Sequence, residues 1–165
     1  MFKWQLREHI KELNDNKIYA PVDGMLKDIS QASDPVFATK IMGEGFMVEP
    51  DDGKVYAPVS GVITAIACTK HAITIKMVNG LEVLVHMGIN TVTLKGEPFT
   101  IDVNSGDVVK GGQAIAEMDL EAIKSAGLED TVIVVITNGE TLENLTIDKK
   151  GLVQAGNVIG SVATK

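Results

Sequence analysis

A repeat restricts the fold more than any other feature of this chain. Ile18-Tyr19-Ala20-Pro21-Val22-Asp23-Gly24 returns as Val55-Tyr56-Ala57-Pro58-Val59-Ser60-Gly61. Each copy reads as a strand, a proline at its edge, a glycine turn and a further strand, over 25–29 in the first and 62–67 in the second. A later phrase, SGDVVKGGQAIA over 105–116, is echoed by KGLVQAGNVIG over 150–160. The copies interleave, so each half is incomplete without the other, and together they predict a sandwich of strands.

Between the two phrases, the stretch from Thr69 to Phe99 holds two of the three histidines, His71 and His86. It also holds Asn79-Gly80 between apolar runs, the strongest short-range hairpin signal, because both residues tolerate positive φ. A two-residue loop at 79–80 pairs Val78 with Leu81, sets Ile73 opposite His86 and sets His71 opposite Gly88. Alternate residues of a strand share a face, so His71, Ile73 and His86 are expected on one side with the imidazoles on a diagonal. A slip of one residue would separate them. Gly88 lets a bulky group approach the backbone closely. Such a pair suits chemistry in which one ring is the nucleophile and the other donates to what it holds. The plainer reading is two half-buried histidines with no joint role.

Around this centre the chain reads as short strands and shorter helices. Phe2, Leu6, Ile10 and Leu13 recur at helical spacing, so 1–17 is an amphipathic helix or linker preceding a domain over 18–165. The segment is expected to pack on the domain or to be a frayed tail, rather than to touch a membrane through Phe2 and Trp4, because mixed charges weaken any pull toward anionic lipid. His9 receives no role. Asp34 as cap, Pro35 at the first helical position and Gly43 as stop predict one or two helical turns, with Phe37 and Ile41 on a shared face. Residues 45–49 read as a strand, 88–95 as loop and strand, and 119–126 as a second helix capped by Asp119 and stopped by Gly127. The β-branched run TVIVVIT over 131–137 predicts a fully buried strand, and Asn138-Gly139 a further turn.

Composition removes several functions. At 165 residues the chain suits one domain with a substantial core. Its formal net charge of −7 and lack of a basic run argue against nucleic acid. The single cysteine, Cys68, excludes an internal disulfide and fits a reducing compartment. No apolar run approaches the roughly 20 residues of a membrane span, and no signal-peptide pattern opens the chain. The expectation is a cytoplasmic protein, or a cytoplasmic part of a longer one.

The chain resembles the glucose-type enzyme IIA domain of the bacterial sugar phosphotransferase system, from Ile18 to about Val162. The matching motifs are YAPVDG and YAPVSG, the Asp34-x-Val-Phe segment running into IMGEGF, Thr69-Lys70-His71-Ala72, and LVHMGINTVTLKG over 84–96. The resemblance implies an all-β fold, an antiparallel sandwich or barrel of the duplicated hybrid motif, with a few short helices. It implies that His86 accepts a phosphoryl group from the carrier protein HPr and passes it to a cysteine of a sugar-specific IIB domain. His71 would stabilise the phosphoryl oxygens, and Thr69 would fix the His71 tautomer. Gly88 would allow the close approach. Phe37, Ile41 and Met87 would form an apolar rim that partners cover, with Asp34 and Asn90 beside it.

Phosphoryl transfer asks a protein mainly to position groups and offset charge, and unprotonated imidazole serves at neutral pH. No metal or organic cofactor is implied, although His71 and His86 would suit zinc if a partner supplied a further ligand. Two positions depart from the family pattern. Asn90 stands where members often carry Asp, which removes a charge that meets basic partners. Pro98 stands where many have Gly and stiffens its loop. The family also regulates transporters and kinases, so a binding module without phosphorylation is a second reading. A biotinyl or lipoyl carrier would need its lysine at the hairpin tip, whereas Lys76 lies three residues before Asn79. A zinc peptidase would need a third ligand and a base, and neither HxH nor HExxH occurs. The sugar is not legible, because a IIA domain never touches it, and related domains serve glucose, N-acetylglucosamine, β-glucosides, sucrose or trehalose.

Overall fold

Fourteen strands run through residues 13–165, the part of the chain that this computed structural model describes. The helix expected over the first residues lies, up to residue 12, outside the described residues. The early strands are β1 (Lys17–Tyr19), β2 (Gly24–Asp28), β3 (Gly45–Pro50), β4 (Lys54–Tyr56) and β5 (Gly61–Ile66). The middle of the chain gives β6 (Ala72–Lys76), β7 (Glu82–Met87), β8 (Phe99–Ile101), β9 (Val108–Val109) and β10 (Ala114–Met118). The last four are β11 (Val132–Ile136), β12 (Leu142–Ile147), β13 (Gly151–Val153) and β14 (Val158–Thr164). Among the described residues, the short α-helices α1 (Pro35–Ala38) and α2 (Leu120–Ser125) join them.

The strands form one eight-stranded sheet, in the order β13-β2-β3-β11-β7-β6-β5-β9, and two three-stranded sheets, β1-β14-β12 and β4-β10-β8. All the ladders are antiparallel. The two repeats explain this order. The sheet reads the same from either end when β13, β2, β3 and β11 are matched with β9, β5, β6 and β7. The copies also tie to each other: Tyr19 N–H donates to the Pro58 carbonyl at 2.8 Å, and Tyr56 N–H donates to the Pro21 carbonyl at 2.7 Å. The late phrases cross in the same way, with Gly112 N–H on the Ala57 carbonyl and Gly156 N–H on the Ala20 carbonyl. The expected sandwich of interleaved halves is the observed fold.

The main core lies between the sheets, and every residue of β11 is buried. Val132, Val134 and Ile136 face that core, whereas Ile133 and Val135 belong to a second cluster with Ile29, Phe37, Met47 and Ile89. The unbroken apolar run of this strand follows from its being covered on both faces.

Several local expectations change. The hairpin after β6 closes one residue earlier than a two-residue loop would. Met77 N–H donates to the Leu81 carbonyl and Gly80 N–H to the Met77 carbonyl, so Val78, Asn79 and Gly80 form a three-residue loop. Gly80, at φ +92°, supplies the left-handed residue that such a loop needs. The register therefore shifts by one: Ala72 faces His86, and Ile73 faces Val85 within the core. After β7 the chain does not form a strand. It makes a 3-10 turn over Thr91–Leu94, because Gly88, Asn90, Lys95 and Gly96 are all left-handed.

Helix α1 begins as expected, with the Asp34 carboxylate accepting from Val36 N–H and Pro35 at its start, but it ends at Ala38. Gly43 does not stop it. Gly43 lies where an added Cβ would collide with the Ile136 carbonyl, so it serves close packing on β11. Phe37 and Ile41 consequently do not share a helix face: Phe37 is buried and Ile41 is 77% exposed.

Candidate functional site

The site is built on the outer face of β7. Leu84 and His86 point away from the main core, whereas Val83, Val85 and Met87 point into it. Across the ladder from His86 stands Ile133 of β11 on one side and Ala72 of β6 on the other. The second cluster thus forms an apolar platform beside His86. Phe37, carried by α1, lies on it with its ring centroid 5.1 Å from that of His86.

His71 reaches the same place from a turn. Ala67 N–H donates to the Ala72 carbonyl and Lys70 N–H to the Ala67 carbonyl, which leaves 68–71 as a four-residue loop between β5 and β6. His71 is its last residue, one position before β6, and strand alternation does not govern it. Its ring meets the His86 ring edge to face, with centroids 5.1 Å apart and planes at 78°. Thr69 Oγ1 lies 2.6 Å from His71 Nδ1. When the hydroxyl donates, the His71 proton sits on Nε2, which is then a donor.

Both imidazoles are held below the usual histidine range. Burial lowers His71. Burial lowers His86 as well, and repulsion from His71 adds to it, while the Gly88 backbone and the Asp34 carboxylate pull the other way. His86 Nδ1 is buried and no full hydrogen bond reaches it among the described residues. A buried Nδ1 leaves Nε2 as the nitrogen able to react.

Gly88 has φ +81°, and its N–H donates to the Thr131 carbonyl at 2.8 Å. An added Cβ there would collide with the Thr91 methyl. Thr91 is fully buried and its hydroxyl donates to the Met87 carbonyl at 2.6 Å. The residues after His86 are thereby folded back under it. Gly88 does not stand opposite His71, as the shorter loop would have had it. Met87 does, and its N–H donates to the His71 carbonyl at 2.7 Å.

The structure brings together His86, His71, Thr69, Phe37 and Asp34, with Gly88 directly beyond. Asn90 is exposed in a left-handed conformation and its side chain caps nothing. Met87, expected in the rim, is fully buried on the opposite face of β7 and presents nothing to a partner. The exposed apolar residues on the segments flanking the site are Val36, Ile41 and Val92. Val36 and Val92 escaped sequence reasoning, since a lone exposed valine carries no pattern. Ile133 escaped it too, although an unbroken apolar strand implies a second covered face.

Among the described residues no group of three or more His, Cys, Asp or Glu could hold a metal ion. A zinc at His71 and His86 would draw its other ligands from a partner. No described helix is long and apolar enough to cross a membrane.

Comparison with known proteins gives a consistent picture. A family model described as phosphoenolpyruvate-dependent sugar phosphotransferase system, EIIA 1, matches residues 16–142. A glucose-specific EIIA component of this system from Halalkalibacterium halodurans is 47% identical over 125 residues, covering 76% of this chain and 72% of that protein. A glucose-specific EIICBA component from Streptococcus pneumoniae is 43% identical over 154 residues, 93% of this chain. The chain spans only 21% of that longer relative. The solved structure of glucose permease IIA from Mycoplasma capricolum is 33% identical, with a TM-score of 0.77 over 89% of this chain and 96% of that one.

Proposed function

Because the chain belongs to the EIIA 1 family of the phosphoenolpyruvate-dependent sugar phosphotransferase system, we propose that His86 is its phosphoryl-carrying residue. His86 Nε2 attacks the phosphorus of phospho-HPr, the N–P bond to the donor's histidine breaks, and that ring keeps the bonding electron pair. In the second step a thiolate of a IIB domain attacks the same phosphorus and the bond to His86 breaks. The relatives whose names join EIIA to EIIB and EIIC, such as the Streptococcus pneumoniae protein and a β-glucoside-specific EIIBCA component of Bacillus subtilis, support a IIB partner.

One observation carries the reading: two imidazoles 5.1 Å apart, one with its Nδ1 sealed and the other with its Nδ1 beside a threonine hydroxyl. The first ring has one nitrogen free to react. The second has one nitrogen free to donate. Burial keeps His86 unprotonated at neutral pH, so no separate base is needed. The arriving phosphoryl brings roughly −1.5 to −2 charges, and the His71 Nε2–H offsets part of that. The apolar platform and a docked partner limit water's access to the labile N–P bond.

The step uses no metal or organic cofactor. The protein acts at the cytoplasmic face of a permease, with Val36, Ile41 and Val92 in the surface that HPr and IIB cover. The test is phosphoenolpyruvate-driven labelling of the purified chain with enzyme I and HPr, followed by mapping of the acid-labile phosphate. One phosphate on His86 is the expected result. No label on a folded protein would instead favour a regulatory binding module using the same face.

A further inference from the structure

The carrier reading leaves open how His71 is aimed, and the following inference rests on that reading. Among the described residues, four that are not glycine hold left-handed backbones: Lys40, Lys70, Asn90 and Lys95, with φ between 57° and 63°. All four lie on segments that carry or directly adjoin residues of the site. Lys40 follows the helix that carries Phe37 and its N–H donates to the Phe37 carbonyl, and Asn90 and Lys95 bracket the 3-10 turn after His86. Lys70 directly precedes His71.

A left-handed backbone is unfavourable for any residue with a Cβ, and most so for a β-branched one. At Lys70 the conformation has a directional consequence. The His71 carbonyl accepts from Met87 N–H, so on an extended strand His71 would project to the same side as Met87. Met87 is fully buried in the main core. The His71 ring instead lies on the opposite face, against His86 and Thr69.

The reversal occurs where the loop turns at Lys70. The segment after His86 seats against this turn, since a Cβ added at Gly96 would stand 3.4 Å from the Thr69 carbonyl and from Lys70 Cδ. We propose that the left-handed backbone of Lys70 is the device that delivers the His71 imidazole to the site. Lys70 is then a positioning residue, which acts through its backbone and not through its ammonium group.

The test compares Lys70→Val, Lys70→Ala, Lys70→Asn and Lys70→Gly in the full chain. Asn and Gly tolerate the left-handed region and lack the charge. Valine resists it, and alanine is an unbranched intermediate should the valine variant fold poorly. One readout is the tautomer and titration of His71, followed by ring 15N shifts in the unphosphorylated protein. The other is the rate at which phosphorylated His86 delivers its phosphoryl to a IIB domain.

Lys70→Val should change the His71 tautomer balance and slow delivery by about tenfold, the scale of a left-handed penalty, with a smaller effect on acceptance from HPr. Lys70→Asn and Lys70→Gly should restore both readouts. Two results overturn the proposal. One is a valine variant that only melts lower while His71 and delivery are unchanged. The other is asparagine or glycine variants as slow as valine, which would assign the effect to the ammonium. If the unaltered protein takes no phosphoryl on His86, the carrier reading fails separately. The ring spectra then still decide whether Lys70 places His71, and an unmoved spectrum in Lys70→Val rejects it.

Discussion

The His71 and His86 rings meet edge to face with centroids 5.1 Å apart, although the ladder pairs His86 with Ala72. At this distance a charge on His71 acts on His86. Burial is the first cause of the lowered His86 pKa and repulsion from a charged His71 is the second. Replacing His71 by Gln removes the repulsion and keeps most of the bulk. The His86 midpoint should therefore rise in His71→Gln, while staying below the usual 6.5 because burial persists. Titration of the ring protons by NMR measures this directly. An unmoved midpoint would show that burial alone sets the shift.

The same shift predicts how stability depends on acid. His86 has an ordinary pKa of 6.5 when unfolded and a lower one when folded. Below 6.5 the unfolded chain therefore binds more protons, and stability is lost as pH falls from 6.5 through the folded value. His71, lowered in the same direction by its own burial, adds to the loss. Thermal melts between neutral pH and roughly pH 5 should fall less steeply for His86→Gln than for the unaltered chain. Equal slopes would mean that groups elsewhere govern the acid limb.

The two histidines should separate by step. His86→Ala should abolish labelling, because it removes the accepting nitrogen. His71→Ala should still take phosphate from HPr but deliver it to IIB slowly, since the donor that offsets charge on the departing group is gone. A loss of about tenfold to a hundredfold corresponds to one charge-assisted hydrogen bond. Single-turnover transfer in each direction distinguishes the steps. Delivery at the normal rate by His71→Ala would remove the assisting role.

Phe37 connects packing to chemistry. It is 5% exposed and lies on the platform of Ile29, Met47, Ile89, Ile133 and Val135. Truncation to Ala should cost about 3 kcal/mol, the low end for a buried Phe because this cluster is small. It should also admit water beside His86 and raise its pKa, since burial is the leading cause of the depression. Chemical denaturation gives the first quantity and NMR titration the second. A large stability loss with an unchanged His86 midpoint would show that Phe37 supports the platform without shielding the ring.

The interleaved sandwich was legible because its determinants are local and duplicated: a proline at a strand edge, a glycine turn, and the same phrase again. The histidine pairing was legible for a partly mistaken reason. Asn79-Gly80 marks the hairpin, but a type I′ turn and a three-residue loop ending in a left-handed glycine contain the same dipeptide. The hydrogen bonds of Met77 and Leu81 decide between them. The one-residue shift sent Ile73 into the core, and it would have separated the histidines had His71 lain within β6. It lies instead in the preceding turn. Met87 follows His86 on one strand and so faces the other way, which the alternation along β7 already implies. Ile133 is different, because the unbroken apolar run of β11 does not record which of its residues takes which covered face.

The two repeats are not chemically equal, and the difference makes a last prediction. In the first copy the Asp23 carboxylate accepts from Ala155 N–H at 2.7 Å. In the second, Ser60 Oγ accepts from Gly111 N–H at 2.8 Å. There the carboxylate comes from outside the repeat, as Asp15 accepts from Ser60 at 3.1 Å and from the Tyr19 hydroxyl at 2.6 Å. Burial, with the bond to Asp15 and its charge, pushes the Tyr19 pKa up from 10.0 to about 12. A raised tyrosine pKa means that the folded state holds its proton longer. The stability this contributes is complete below pH 10 and is lost as pH rises from there to about 12. Tyr19→Phe should flatten that alkaline limb. Asp15→Asn should flatten it only in part, because burial is the largest cause and remains. Denaturation midpoints across this range measure both. A limb as steep in Tyr19→Phe as in the unaltered protein would place the titrating group elsewhere and reduce the Asp15 contact to a local cap on β1.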